Sequence, residues 1–501
     1  MLAVLWLGCT PVTLDAPSVV ETGAVEAPTG PCGGLEAESS EVWTQEGDSV
    51  RVDVWCATEV APSVAGLPAG ATFDEGDFRW RPDVDQAGEY TVVFSGPSED
   101  GPPETWPLLI HVADGWDEDD NEPVDPMTYL EEYGLPVMHI DPSGSLGEGY
   151  TDAVITFEGR EYGAASIKKR GAASLGYPKN SFTVEFDPED QLELSDQGMG
   201  DKRHLVLITS FDDNSYVRQE LAYGLWADMT EHAGADRMVV RTFPVVVYLD
   251  GEYFGLYTAS DHVDDEFLGQ MGLNRDGELY KAVSHDANFF STAYGGSAKG
   301  TPHQGYEQKE GTDWGPLDDV VNFTGSASSG QIRDTEVLDI PEMMDWLLFV
   351  VFTAADDSAG KNSYLAWDAA SGQLRFAPWD FNHCWGQDWR TLRVGSSHEN
   401  RFTNYNRVFQ ALQEVSGDAL QTRWDALLEG PFAEEALLER VDGLYSAVHP
   451  SAGRDWDKWG QQYRSYGGWS WRDDWTSYEE EREYLVDWVE DRARWAEDIR
   501  F

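Results

Sequence analysis

AADDSAGKNSYLAWDAASGQLRFAPWDFN, residues 354–382, decides the reading of this chain. Asp357 and Asn362 stand five positions apart, and Asp380 follows the second of two apolar runs. Those runs, Ser363–Asp368 and Gln373–Ala377, flank a turn-like AASG at Ala369–Gly372 and predict a β-hairpin. Two carboxylates and one amide offer the hard oxygen ligands that magnesium takes. A carboxylate in such a loop can also accept a proton from a hydroxyl group. The plain alternative is a set of surface carboxylates in an acidic protein, because short motifs arise by chance. Upstream, Glu342–Ala355 is rich in Trp, Leu, Phe and Val; it predicts a buried helix whose C-terminal end delivers Asp357.

A D-x-x-x-x-N loop followed by a strand pair and D-F resembles the way protein kinases place a base and two magnesium ligands. The other kinase signatures are missing: there is no G-x-G-x-x-G-x-V, V-A-I-K, H-R-D or A-P-E. Four collinear blocks instead resemble the CotH (spore coat protein H) family of atypical, kinase-like proteins. They are KKRGAASLGYPKNSFTVEF (Lys168–Phe186), LITSFDDNSYVRQELAYGLWADM (Leu207–Met229), FPVVVYLDGEYFGLYTASDHVDDEFL (Phe243–Leu268) and KNSYLAWDAASGQLRFAPWDFN (Lys361–Asn382). The likeness runs from about Pro136 to Phe501.

The resemblance implies an α+β fold, a bilobal atypical protein-kinase-like domain over residues 127–501. It implies ATP and Mg2+ as cofactors and transfer of the γ-phosphoryl group to Ser or Thr of a protein. Asp357 would then be the catalytic base, and Asn362 and Asp380 the metal ligands. Lys179, the lysine kept after Pro178, would grip the ATP phosphates with Arg170 beside it. Ala172, Asn180, Gln219, Asp261 and Asn382 depart from the family pattern, though none removes the Asp357, Asn362, Asp380 trio. Two alternatives stay open: a non-catalytic surface-binding protein with a degenerate kinase-like domain, and another ATP-dependent transfer such as adenylylation.

At 501 residues the chain has room for two or three domains, and 21 each of Trp, Tyr and Phe argue against wholesale disorder. A formal charge of −58 repels nucleic acid and anionic membranes and excludes both as favoured partners. It would attract basic protein substrates or divalent cations, and the resemblance implies a basic, Ser-rich protein; a solubility or saline adaptation with no partner implied is the plainer reading of the charge. No C-x-x-C or His-rich spacing suggests zinc.

MLAVLWLGCTP ends a short apolar run at Gly8-Cys9, like a lipoprotein cleavage site, so residues 1–9 read as a signal peptide with a lipid anchor on Cys9. The run lacks a basic n-region; if it is not a signal, the protein is cytoplasmic. The anchor would place the chain at the cell envelope or outer surface. Residues 10–33 read as a flexible tether. No other segment is long and apolar enough to span a membrane. Residues 34–113 alternate short strands with Gly/Pro/Asp turns and resemble the putative Ig-like domains of bacterial surface proteins, with Phe78, Trp80, Tyr90, Val92 and Phe94 as core candidates. Cys32 and Cys56 can form a disulfide there in an oxidising compartment. Residues 114–126 form an acidic linker.

In the third domain, Asp152–Phe157, Gly163–Lys169 and Ser181–Phe186 predict an N-lobe sheet. Val217, Leu221, Leu225 and Met229 mark a helix, with Asp212–Ser215 offering caps. Asp250-Gly251 predicts a hairpin turn between Phe243–Leu249 and Tyr253–Ala259. The tail from Asn404 is expected to be helical, and its Trp-rich stretch to be core and cover.

Overall fold

Alternating valines build the first strand pair of the N-terminal unit. Val50, Val52 and Val54 are buried while Arg51, Asp53 and Trp55 face solvent, the period-2 pattern of a half-buried strand. The structure is a computed structural model that describes residues 32–113 and 130–501, apart from positions 38, 46–48, 59, 75, 83–85, 99–101, 196, 470–471 and 473. The segments read as a signal peptide with Cys9, as a tether through residue 31 and as a linker at 114–126 lie outside the described residues. Two compact units emerge, Met1–Val124 and Asp125–Phe501.

The first unit contains β1 (Leu35–Ala37), β2 (Glu41–Gln45), β3 (Val50–Cys56), β4 (Ser63–Ala65), β5 (Thr72–Asp74), β6 (Asp77–Trp80), β7 (Gly88–Gly96) and β8 (Glu104–Ala113). They form two four-stranded sheets, ordered β1-β3-β6-β5 and β2-β8-β7-β4. Val50, Val52, Phe78 and Trp80 of one sheet share a core with Val92, Phe94, Leu108 and Ile110 of the other. Cys32 and Cys56 form a disulfide, with Cα atoms 4.8 Å apart.

The second unit opens with β9 (Glu131–Glu132), β10 (Leu135–Pro142), β11 (Thr151–Phe157), β12 (Arg160–Arg170), β13 (Ser181–Glu185) and β14 (His204–Thr209). Helix α1 (Arg218–Ala233) follows, then β15 (Thr242–Leu249), β16 (Glu252–Asp261) and α2 (Asp265–Gln270). The strands expected to form an N-lobe sheet lie in a closed array. β10 pairs in parallel with β15 and antiparallel with β11, so β11-β12-β13-β14-β16-β15-β10 close into a seven-stranded barrel. Ile155, Ile167, Val184, Leu205, Leu207, Val245 and Val247 share one buried cluster within the barrel. The intervening Val206 and Val246 join the large core that holds α1. The hairpin turn is where the sequence put it, with Asp250 and Gly251 at φ 53° and 76°, the left-handed pair that a two-residue turn of this type needs.

Val217, Leu221, Leu225 and Met229 are all buried along α1. The caps differ from expectation. Val217 is the N-cap and offers no side-chain bond; Asp213 instead accepts from the Arg218 backbone N–H at 3.1 Å, and Asp212 points elsewhere.

The remainder comprises β17 (Leu279–Ala282), β18 (Tyr306–Glu310), α3 (Gly315–Ser326), α4 (Ser329–Arg333), α5 (Ile340–Thr353), β19 (Ser363–Asp368), β20 (Gln373–Pro378), α6 (Arg407–Val415), α7 (Gly417–Leu428), α8 (Glu434–Ser465) and α9 (Tyr478–Glu497). A second sheet runs β18-β17-β19-β20 and contains the predicted hairpin. Of the Trp-rich stretch, Trp469 is buried against Tyr177, Phe211 and Tyr463, a covering role.

Arg218 joins these parts. Its fully buried guanidinium pairs with Asp213 at 2.7 Å and with Glu481 of α9, and its Nε donates to the Cys384 carbonyl at 3.2 Å. Removing one partner from a buried pair strands the other charge in low dielectric. Arg218→Met should therefore cost about 3–5 kcal/mol of unfolding free energy in a denaturant titration. A loss below about 1 kcal/mol, the range of an exposed ion pair, would show that the site is solvated.

Candidate active site

Helix α5 ends at Ala354, whose φ of 52° turns the chain out of the helix and into the loop carrying Asp357. There the Asp357 carboxylate meets Lys361 Nζ at 2.8 Å and His285 Nε2 at 3.3 Å. Asn362 Nδ2 donates to the same carboxylate at 3.3 Å. Burial works to raise the Asp357 carboxyl, but His285 and Lys361 outweigh it and hold the group well below the usual carboxylate range. Asp357 is thus a fixed anion that orients a proton donor better than it removes the proton.

Asn362 and Asp380 both sit in the left-handed region, at φ 57° and 68°. Such conformations cost energy for non-glycine residues and cluster at functional sites. Here neighbouring contacts impose them. Asn362 N–H donates to the Ala282 carbonyl at 3.0 Å, and Trp379 N–H donates to the Asn362 carbonyl at 3.1 Å. Asp380 N–H donates to the Tyr223 hydroxyl at 3.1 Å, and Phe381 N–H to Gln219 Oε1 at 2.9 Å. Helix α1 therefore grips the backbone on both sides of the Asp380 carboxylate. That carboxylate is exposed and has no hydrogen-bond or ion-pair partner among the described residues. With the Asn362 Nδ2 turned to Asp357, the amide oxygen is left as its free acceptor. The donor set offered is hard oxygen and suits magnesium.

Two cations complete the site. Lys281 on β17 lies between Tyr364 and Trp379, with ring centroids at 5.4 and 5.8 Å. Arg170, at the end of β12, stands over Trp379 at 5.3 Å. Neither has a hydrogen-bond or carboxylate partner among the described residues, in a chain with 92 acidic and 34 basic side chains. Burial, with a smaller push from Arg170, lowers the Lys281 ammonium to about 8 against the pull of Asp380. Cations left unpaired beside an unpaired carboxylate are what an anion-plus-metal site requires.

Lys179 is a correction to the sequence reading. Its ammonium is fully buried and donates to Asp455 Oδ1 at 2.6 Å, to the Leu256 carbonyl at 2.5 Å and to Ser210 Oγ at 3.0 Å. All three protons are spent on protein. Gly255, at φ 147°, permits this approach, since a Cβ there would lie 2.3 Å from Asp455 Oδ1. In this arrangement Lys179 ties the barrel to α8 and has no donor left for a phosphate. Asp212, read as a cap, is buried, accepting from Tyr177 Oη at 3.0 Å and from Asn382 Nδ2 at 2.6 Å. Burial raises its carboxyl to about 6, with the Asp380 charge adding to the rise and His383 opposing it.

Lys281, His285 and Lys361 were not singled out from the sequence. No motif marks Lys281 or His285, because β17 and the loop after it approach Asp357 only in the fold. Lys361 lay inside the quoted block and could have been read as the i+4 partner of Asp357.

The family model described as CotH kinase protein matches residues 167–496. The chain belongs to that family. The match spans the barrel strands from β12 onward, Arg170, Lys281 and the Asp357, Asn362, Asp380 trio, and it excludes the N-terminal all-β unit. No curated protein matches this CotH family member significantly.

Lys281 carries its proton below about pH 8 and loses it above. Affinity for inorganic triphosphate should therefore fall between pH 7 and 9 by about tenfold, the worth of one weak charged hydrogen bond. Lys281→Met should bind less tightly at pH 7 and lose most of that slope in a calorimetric titration.

Proposed function

We propose that this CotH family chain is a magnesium-dependent atypical protein kinase that transfers the ATP γ-phosphoryl group to Ser or Thr of a protein. One observation carries the reading: the unpaired Asp380 carboxylate directly follows Trp379, whose ring is approached by both unpaired cations, Arg170 at 5.3 Å and Lys281 at 5.8 Å. Asp380 and the Asn362 amide oxygen would hold magnesium, which neutralises phosphate oxygens when bound. Arg170 and Lys281 would grip the phosphates, arginine as a fork and lysine as a point charge. Asp357, held ionised by His285 and Lys361, would orient the acceptor hydroxyl toward the phosphoryl group. A loose transition state asks for positioning more than for early proton removal, so a weakly basic carboxylate suffices. The barrel and the α5/β19/β20 layer would serve as the two lobes.

The sealed Lys179 supports a second reading, a non-catalytic binding protein that keeps the fold, and a transfer assay separates the two. The N-terminal unit, with its two packed sheets, suits an Ig-like spacer. Its Cys32–Cys56 disulfide suits an oxidising location at the envelope or outer surface. The charge of −58 favours basic, Ser-bearing protein acceptors through long-range steering.

Wild-type protein should gain about 2.7 kcal/mol of stability from Mg–ATP at a hundred times Kd. Asp380→Ala should lose that gain and all transfer. Asp357→Asn should keep the gain and lose transfer by about a hundredfold or more, because only the acceptor is mispositioned. Near-wild-type transfer by Asp357→Asn sinks its role; an unchanged Mg–ATP gain in Asp380→Ala removes that residue from the site.

A further inference from the structure

A second group of possible metal ligands lies on the barrel. His204 opens β14, His262 follows β16, and Asp264 precedes α2. His204 Nδ1 and His262 Nδ1 lie 2.8 and 3.0 Å from the same oxygen, Asp264 Oδ2. Their candidate ligand atoms all fall within 4.8 Å of one another. Helix capping does not account for this convergence. Asp264 Oδ1 alone accepts the Glu266 and Phe267 N–H groups, each at 3.1 Å, and Oδ2 is turned to the imidazoles. Two nearby cations are committed elsewhere: Lys202 pairs with Asp261 at 2.5 Å and Arg241 with the same carboxylate at 3.1 Å. The ion-pair partners of Asp264 among the described residues are the two imidazoles.

From this geometry we propose that His204 Nδ1, His262 Nδ1 and Asp264 Oδ2 form a binding site for a divalent transition-metal ion, Zn2+ being the best fit, separate from the Asp357, Asn362, Asp380 trio. Zinc bonds of about 2.0–2.1 Å place tetrahedral ligands about 3.3 Å apart. The two imidazole–carboxylate spacings, 2.8 and 3.0 Å, need to widen by only a few tenths of an ångström. The outer contacts fit as well. His204 Nε2 faces Glu185 Oε1 at 3.5 Å, the carboxylate–histidine relay that orients imidazole ligands toward metals. The His262 side chain is 30% exposed against 7% for Asp264, so the ion has an entry path and a fourth position open to water. Imidazole nitrogens select such ions over magnesium, which the all-oxygen trio suits.

The test uses the full chain, stripped with a chelator and titrated with ZnCl2 by calorimetry in buffer containing magnesium. The expected result is one Zn2+ per chain, with affinity about a hundredfold weaker in His262→Gln and in His204→Gln and about tenfold weaker in Glu185→Gln. Asp380→Ala should bind Zn2+ as the wild type does. His262 lies at the surface end of the cluster, so its variant should keep the wild-type melt. Absence of stoichiometric binding, wild-type affinity in both His variants, or loss of binding in Asp380→Ala would each overturn the proposal, the first leaving a hydrogen-bonded cluster only.

Discussion

A guanidinium shut away from water has to find carboxylates, and Arg218 finds two, far apart in the chain. Asp213 lies just before its own helix, and Glu481 comes from the last helix of the chain. Its Nε reaches the loop that follows Asp380. The next turn of the same helix supplies Gln219 and Tyr223, which hold the backbone around Asp380. The left-handed backbone that presents the Asp380 carboxylate persists because the surrounding contacts over-determine it. A change in the Arg218 pairs is therefore felt at the carboxylate without any contact between them.

Much of this was legible in the sequence. The hairpins declared themselves through Asp250-Gly251 and the AASG turn, and α1 through its buried spacing, because those signals are local. The Asp357–Asn362 contact could be read because the two residues stand five apart in one loop. Barrel closure could not be read: β10 meets β11 across a short loop but finds β15 about a hundred residues later, and neither strand announces its partner. Lys179 misled for a related reason. Its position in the motif is right, yet what it touches depends on Asp455, which arrives 276 residues on. Lys281 was invisible because an unpaired cation is defined by its surroundings, which only the fold supplies.

The two metal sites proposed differ in their donors. Around Asp380, carboxylate and amide oxygens stand with two unpaired cations, a set that would suit a hard ion with a polyanion. On the barrel, two imidazoles and one shielded carboxylate make a softer and less charged donor set. An excess of acidic groups over the whole chain would otherwise blur such distinctions; burial and committed ion pairs, such as Lys202 and Arg241 with Asp261, keep them apart.

Closure of the barrel also governs how a polypeptide can be received. Extended segments dock readily by adding a strand to an open sheet edge, where unpaired N–H and C=O groups wait. A ring of seven paired strands has no such edge along its length. The smaller sheet does, at β18, which pairs only with β17 among the described strands. β18 carries Lys309 and neighbours the strand bearing Lys281. A chain seated there by backbone pairing would have its register fixed by main-chain hydrogen bonds and its side chains alternating between the two faces of the sheet.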